Sequence, residues 1–471
     1  MFLSPAYGSV GWATFPYPVN RAGFSFAPSH STSNFLFAST MLPNFSLPKV
    51  ALRLSMVILG LVGFTACSYL FDDYPPTRPQ PNSQSRVQKA VDSVRTALEK
   101  DLGNSVPSLN LYIQTPTQKI FVSSVPAGTT PYTENTHFRF ASNTKTFTST
   151  AILKMHQDGW LNFRAKISDN IPGTSTSYVP NTPAWDFPYK NEITIEQLLQ
   201  HGAGVFDVDN DTIPGQFNDQ TYTAYTQTLD PNHQFTTEEM VGLLTKYKLF
   251  YWAPGTDFHY SNTGYSILGY IIARVYSLKS GNPKTYDDYL QDHIVGPGAK
   301  VPLAIRFPVS ADDRVLPAPR AEGVERTPDG RTIIFGDYNM SAQVAEGNGY
   351  STPALLNTFV RTLMKGQNVL TPGTVLLMQT DVNPGKSNRN HYALGSFYTP
   401  NLGFGHNGER CGTLSLAMYD PTTDVSVVAF INLVDNTNVV NSPESTFYKC
   451  FNAIYGAAYG GRAALGYPGR P

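Results

Sequence analysis

The chain has little charge and no surplus of either sign. Among its 471 residues are 34 Lys and Arg against 35 Asp and Glu, and charged residues make up only 15%. With no basic excess to neutralise phosphates, nucleic acid is excluded as an expected partner. Cysteine is nearly absent, at three residues, none in a CxxC pair or beside paired histidines, so no structural zinc site and no other metal site is expected. No apolar run is long enough to span a bilayer comfortably; the longest, Leu54 to Phe64, falls short of a transmembrane helix. What is abundant is Gly (37) and Pro (36), which with this length suits a loop-rich globular enzyme with a large core.

The N-terminal part reads as a targeting segment. Lys49 and Arg53 precede the apolar run, and Thr65-Ala66-Cys67 follows it, which is the layout of a secretory signal. Small residues directly before Cys67 resemble a bacterial lipobox. That resemblance implies cleavage before Cys67, lipidation of its thiol, and an exported protein anchored at the cell envelope; an ordinary signal peptide or a short anchor is the alternative. Met41 is the more conventional start, with residues 1–40 as upstream translation, so 1–67 is assigned to that segment plus the signal. Residues 68–85, rich in Pro, Ser, Asn and Gln, read as a tether.

The folded part is expected over 86–460, with 461–471 as a loose, Gly-rich tail. Val87, Ala90, Val91, Val94 and Leu98 share one helical face. Leu109, Leu111 and Ile113 alternate as a strand, and a second strand follows near Ile120. Between about 165 and 340, Pro-Gly turns separate short helical runs such as Ile195 to Leu199 and Tyr265 to Val275, which reads as a mostly helical insertion. A helix over Leu355 to Leu363 returns the chain to the sheet. Leu414, Leu416 and Met418 alternate, Asp420 to Asp424 turns, and Val425 to Ile431 is the next strand. A last helix covers Glu444 to Tyr455. Cys411 and Cys450 could pair in an oxidising compartment or stand as two buried thiols.

Chemistry is concentrated in three short motifs. Ser142-Asn143-Thr144-Lys145 puts a Ser and a Lys one helical turn apart on one face. A lysine made neutral by burial and by the positive end of a helix can take the serine proton, giving a nucleophile without a histidine. Ser142 at a helix N-terminus also sets backbone N–H groups beside the oxygen that becomes negative. Tyr260-Ser261-Asn262 follows, where Tyr260 can relay the proton, its phenolate favoured by the nearby ammonium. His406-Asn407-Gly408 is the third. Each is weak alone: Ser-x-x-Lys recurs at Ser46 and Tyr-x-Asn at Tyr189, and an isolated Ser142 would read as a helix cap. Their order, spacing and flanks carry the signal.

The flanks resemble class C β-lactamases and D-alanyl-D-alanine carboxypeptidases over roughly residues 86–455. Phe138 to Pro172 is similar to the nucleophile segment, Ile193 to His201 to a loop lead-in, Pro254 to Tyr265 to the second motif, and Gly405 to Gly408 with the two strands after it to the third. The resemblance implies an α/β (α+β) fold, a central antiparallel sheet flanked by helices with an inserted helical region and a cleft between them. It implies acyl transfer without a cofactor, with Ser142, Lys145 and Tyr260 catalytic. Asn262, His406, Asn407, Gly408 and Glu409 would bind substrate, the Glu409 backbone N–H being the second oxyanion donor after that of Ser142. His201 reads as a structural loop residue and Arg410 as a surface charge. Two departures bear on substrate. Asn407 stands where a Thr or Ser hydroxyl usually holds a substrate carboxylate, and His406 stands where class C β-lactamases carry Lys. The expected substrate is a small molecule or peptide: first a cell-wall peptide cut by a D-alanyl-D-alanine carboxypeptidase-type enzyme, second an ester, third a β-lactam. A non-catalytic, wall-binding lipoprotein is the reading from another class.

Overall fold

The computed structural model describes residues 82–380, 392–438 and 444–471. The expected signal, Cys67 and nearly all of the tether lie outside the described residues. The last tether positions do not: helix α1 (Ser83–Leu102) begins within them, buries Val87, Val91 and Leu98, and stops at Gly103 in the left-handed conformation.

Strands β1 (Leu109–Gln114) and β2 (Lys119–Ser124) form the first hairpin. The short strand β3 (Phe138–Arg139) leads into helix α2 (Thr144–Gln157). The inserted region carries α3 (Ile195–Leu199), opened by a Thr194–Gln197 capping box, then α4 (Tyr222–Leu229), α5 (Thr237–Tyr247), α6 (Asn262–Ser280) and α7 (Tyr286–Leu290). It is not helical throughout. Strands β4 (Gly323–Arg326) and β5 (Thr332–Phe335) form a hairpin there. After β6 (Tyr350–Ser351) come α8 (Pro353–Met364) and α9 (Pro372–Gln379). Strands β7 (Phe397–Thr399), β8 (Gly403–Arg410), β9 (Thr413–Asp420) and β10 (Val425–Ile431) complete the main sheet. Strand β11 (Val434–Asp435) joins β4 in parallel, and α10 (Thr446–Ala464) closes the chain.

The main sheet has the order β2-β1-β10-β9-β8-β7, antiparallel at every pairing. The first hairpin thus zips onto the C-terminal strands, with Asn110 opposite Phe430. Both faces are covered, so β10, apart from Ser426, reads as a near-continuous apolar run whose side chains sort by period two. Val427, Ala429 and Ile431 join Leu109, Leu111 and Ile113 in one core with α1 and α10. Val428 and Phe430 join Tyr112, Phe138, Phe147 and Phe359 in the other, with α2 and α8.

One expectation is corrected and one open alternative is decided. The end of the chain is packed, not loose: α10 continues to Ala464, Arg462 is fully buried on Asp420 at 2.8 Å, and Tyr467 is buried. Glycines at the end of α10 are close-packing positions. A Cβ on Gly461 would stand 2.4 Å from the Leu111 side chain, and Gly456 and Gly460 face Val94 and Ala90 of α1. Cys411 and Cys450 are free, buried thiols. Cys411, in the β8–β9 turn, lies 3.8 Å from the Met340 sulfur, whereas Cys450 sits inside α10 in the core beneath the opposite face. The sheet that their strands and helix build keeps them unpaired. Among the described residues no helix is long and apolar enough to cross a membrane.

Candidate active site

Ser142 lies in a tight turn (Ala141–Asn143) that runs straight into α2, and it is 5% exposed. Ala141 takes the left-handed conformation (φ 50°), an uncommon state for a residue with a side chain, and the surroundings hold it there. Thr144 Oγ1 donates to the Ala141 carbonyl at 2.7 Å, and Asn143 Nδ2 ties the Phe140 carbonyl to Ser415 of β9. Two glycines make room. A Cβ on Gly349 would collide with the Phe140 ring at 2.2 Å, and one on Gly408 would stand 2.8 Å from the Ser142 nitrogen. Gly408 thus lets β8 pass directly under the turn.

One turn on, Lys145 is fully buried. Its Nζ is 2.7 Å from Asn262 Oδ1, 2.9 Å from the Glu346 carbonyl, 3.3 Å from Ser142 Oγ and 3.4 Å from Glu346 Oε2. Burial lowers its pKa to about 8, opposed by the negative charge of Glu346, Asp207 and Asp209. A proton on this amine is therefore held loosely for a lysine.

Tyr260 lies beside Ser142, and burial raises its pKa well above the phenol range. The Lys145 nitrogen stands over its ring, 4.7 Å from the centroid. The expected phenolate is thus corrected: desolvation and the neighbouring carboxylates keep the phenol protonated at rest, and any relay starts from the neutral form. His201 braces this residue on both sides. Its Nδ1 accepts the Ser261 N–H at 3.1 Å, its carbonyl accepts the His259 N–H at 3.0 Å, and its ring lies 4.2 Å from that of Tyr260. Nδ1 being an acceptor, Nε2 carries the ring proton. The structural role expected of His201 is the one its contacts give it.

On β8, alternation decides which residues face Ser142. His406 does. Its Nδ1 donates to the Asn407 carbonyl and its Nε2 accepts from the Tyr392 hydroxyl at 3.0 Å. Burial drives its pKa down to about 3, so it is a neutral ring in the wall. Asn407 is on the other face and donates to the Tyr455 hydroxyl of α10 at 2.9 Å. Its expected place in substrate binding is corrected by the period of the strand. Arg410, expected on the surface, turns inward and pairs with buried Asp209 at 2.9 Å. Glu409 is half-buried, and desolvation raises its carboxyl to about 7.

Asn262 is at the site but already engaged: Oδ1 accepts from Lys145, and Nδ2 donates to Asp209 at 3.2 Å. It bridges the lysine to a carboxylate instead of presenting its amide to substrate. The sequence reading missed Asp207, Asp209 and Glu346. The signal for the first two was present in the alternation Asp207-Val208-Asp209-Asn210-Asp211. Glu346 had none, since it reaches Lys145 from 201 residues away. Its turn is set by Ala345 at φ 70° and by Asn348 Oδ1, which accepts the Ala345 N–H at 3.3 Å. Among the described residues no cluster could hold a metal ion.

The family model described as Beta-lactamase matches residues 95–443. The chain belongs to the β-lactamase family. It is a serine hydrolase of the β-lactamase/transpeptidase fold, as the antiparallel sheet and the Ser-x-x-Lys turn indicate. Its matches within that family are distant. Protein flp of Staphylococcus aureus strain MW2 is 29% identical over 163 residues, which is 34% of this chain and 26% of that protein. The chain thus spans about a quarter of that relative. The D-amino acid amidase of Ochrobactrum anthropi SV3 superposes with a TM-score of 0.60 at 20% identity, covering 81% of this chain and 99% of that one. A D-stereospecific amidohydrolase from Streptomyces sp. gives 0.58 at 20% identity, covering 77% and 98%. At such identities the likeness is one of fold.

Proposed function

We propose that the protein hydrolyses amides or esters through an acyl-enzyme on Ser142, and that its substrates present no free carboxylate to β8. In this reading Lys145 takes the Ser142 proton, Tyr260 passes it to the leaving group, and the N–H groups of Ser142 and Glu409 hold the oxyanion. The observation that carries the substrate class is the state of the β8 side chains. A carboxylate needs a free hydroxyl, amide or cation there. Asn407 is spent on Tyr455, Arg410 on Asp209, and His406 is neutral. The amidases that share the fold act in their own proteins on D-amino acid amides, which end in an uncharged group. The carboxypeptidase reading has less support for the same reason. The test is turnover of a D-amino acid amide and a short acyl ester beside a D-alanyl-D-alanine peptide, with intact-mass detection of the acyl adduct. Amide or ester turnover with an adduct on Ser142 is expected. Preferential release of D-alanine from the free-carboxylate peptide would overturn the substrate class.

We also propose that the protein is exported and lipid-anchored through Cys67. Lys49, Arg53, the apolar run and the small residues before Cys67 support this. Labelled palmitate incorporated by the full chain and lost in Cys67→Ala is the expected result; equal labelling of both would remove the anchor.

A further inference from the structure

Glu346 is the buried acid nearest the reacting groups, and the acyl-transfer scheme above does not use it. Its Oε1 has no hydrogen-bond partner among the described residues, and its Oε2 meets the Lys145 nitrogen at 3.4 Å. An amine bonded to its own Cε has three remaining directions. Four acceptors stand around them: Asn262 Oδ1 at 2.7 Å, the Glu346 carbonyl at 2.9 Å, Ser142 Oγ at 3.3 Å and Glu346 Oε2 at 3.4 Å. The amine thus has the nucleophile and the Glu346 carboxyl within hydrogen-bond reach together.

The other charges around the pair leave Glu346 without a counter-ion of its own. Asp209 is held as an anion by Arg410, Thr223 and Gln343. Asp207 accepts four N–H bonds, from Asp209, Asn210 (main chain and side chain) and Asn262, which favour its anion, although burial and the charge of Asp209 still raise its carboxyl to about 7. Among the described residues the Glu346 carboxylate receives only the long Lys145 contact, and desolvation pushes it up to about 8 against the pull of Lys145. The charged groups facing it are Lys145 from α2, Asp207 and Asp209 from the loop before α4, and Arg410 from β8.

We propose that Glu346 holds the proton Lys145 gives up, so that in the working enzyme a neutral carboxylic acid stands beside a neutral amine whose lone pair faces Ser142. The inference rests on the hydrolase reading above. In the step, a Lys145 N–H bond breaks, an O–H bond forms on Glu346 Oε2, and the electron pair stays on nitrogen. The positive and negative charges vanish together, so no proton leaves for solvent and no net charge is left in the buried site. Glu346 touches no substrate; it is a positioning residue that acts through Lys145.

The pH profile of Glu346→Gln separates this from a fixed ion pair. Glutamine imitates the neutral acid. If Glu346 works protonated, the acid limb of kcat/KM for a short acyl ester stays within about half a pH unit of wild type, because that limb is then the protonation of a neutral Lys145 amine beside a neutral group in both proteins. If Glu346 is an anion that holds an ammonium, removing it moves the limb about one unit or more to lower pH, and the proposal fails. Infrared difference spectra of wild type against E346Q at neutral pH read the group without turnover. Loss of a carboxylic-acid C=O band is expected, and loss of carboxylate bands overturns the proposal. Should E346Q not fold, Glu346→Asp serves the infrared arm: a shifted acid band supports the proposal and shifted carboxylate bands refute it. Because that arm needs no catalysis, its failure is distinct from a failure of the hydrolase reading, which Ser142→Ala addresses.

Discussion

The two sides of the Ser142 hydroxyl are built from opposite materials. On one side a hydrogen-bonded chain of ionisable groups runs from Lys145 through Asn262 to Asp209 and Arg410, with Glu346 and Asp207 beside it. On the other, Tyr260, His201, Tyr392 and His406 pack ring against ring, tilted or edge to face, as an aromatic wall. Both sides are buried, yet burial acts differently on them. Among carboxylates and an amine it brings the carboxyl and amine pKa values toward each other, so that a proton can move at little cost. Among phenols and imidazoles it pushes every group toward its neutral form, leaving a wall that holds shape and carries no charge. A serine between them has mobile protons on one flank and a fixed frame on the other.

Removing the group both sides serve has the largest expected effect. Ser142→Ala is expected to lower kcat by on the order of 10⁴-fold or more while circular dichroism stays native; retained turnover would refute the mechanism. Tyr260→Phe tests whether the aromatic side moves protons at all. A loss of roughly 10²–10⁴ in kcat with little change in KM marks a relay, and a loss under tenfold would leave Tyr260 as part of the wall. His406→Gln then tests the claim of neutrality. Its imidazole, held down to about 3, has no charge to lose between pH 5 and 8, so the variant's kcat/KM profile should keep its shape there.

Asn407 and Glu409, further along β8, give the smallest effects, and those fall on stability. Asn407→Ala should cost about 1 kcal/mol in urea unfolding through the lost bond to Tyr455, with kcat/KM changed less than about threefold. A larger loss of activity would return Asn407 to the substrate side. Glu409 and His406 oppose each other in pH dependence. Glu409 is raised in the folded state, from 4.5 to about 7, so its contribution is present below pH 4.5 and lost as pH rises through about 7. His406 is depressed, from 6.5 to about 3, so its contribution is present above pH 6.5 and lost as pH falls toward 3. Glu409→Gln should accordingly raise the melting temperature at pH 8 and not at pH 4, whereas His406→Gln should blunt acid destabilisation. Thermal melts at the two pH values decide both.

Some of this was fixed by the order of residues alone. Apolar alternation in Leu109 to Ile113 and Val425 to Ile431 set the strands, because side chains on a strand must alternate between faces. Ser142, in the turn that leads into α2, and Lys145, in its first turn, come together because three residues make nearly a helical turn, and Gly408 had to be glycine for β8 to pass the nucleophile. Other features were invisible until the chain folded. Asn407 and His406 are neighbours in sequence, yet strand period sends one to α10 and the other to the site. The glycines of α10 serve as contact surface against α1 and β1. Asp209 meets Arg410 across 201 positions, and Glu346 meets Lys145 across the same separation. Local pattern determines which face a residue shares, since that depends only on backbone geometry. Which distant carboxylate ends up beside the lysine, and whether it keeps its proton there, depends on how the insertion and the sheet close over both and shut out water, and only the tertiary structure decides that.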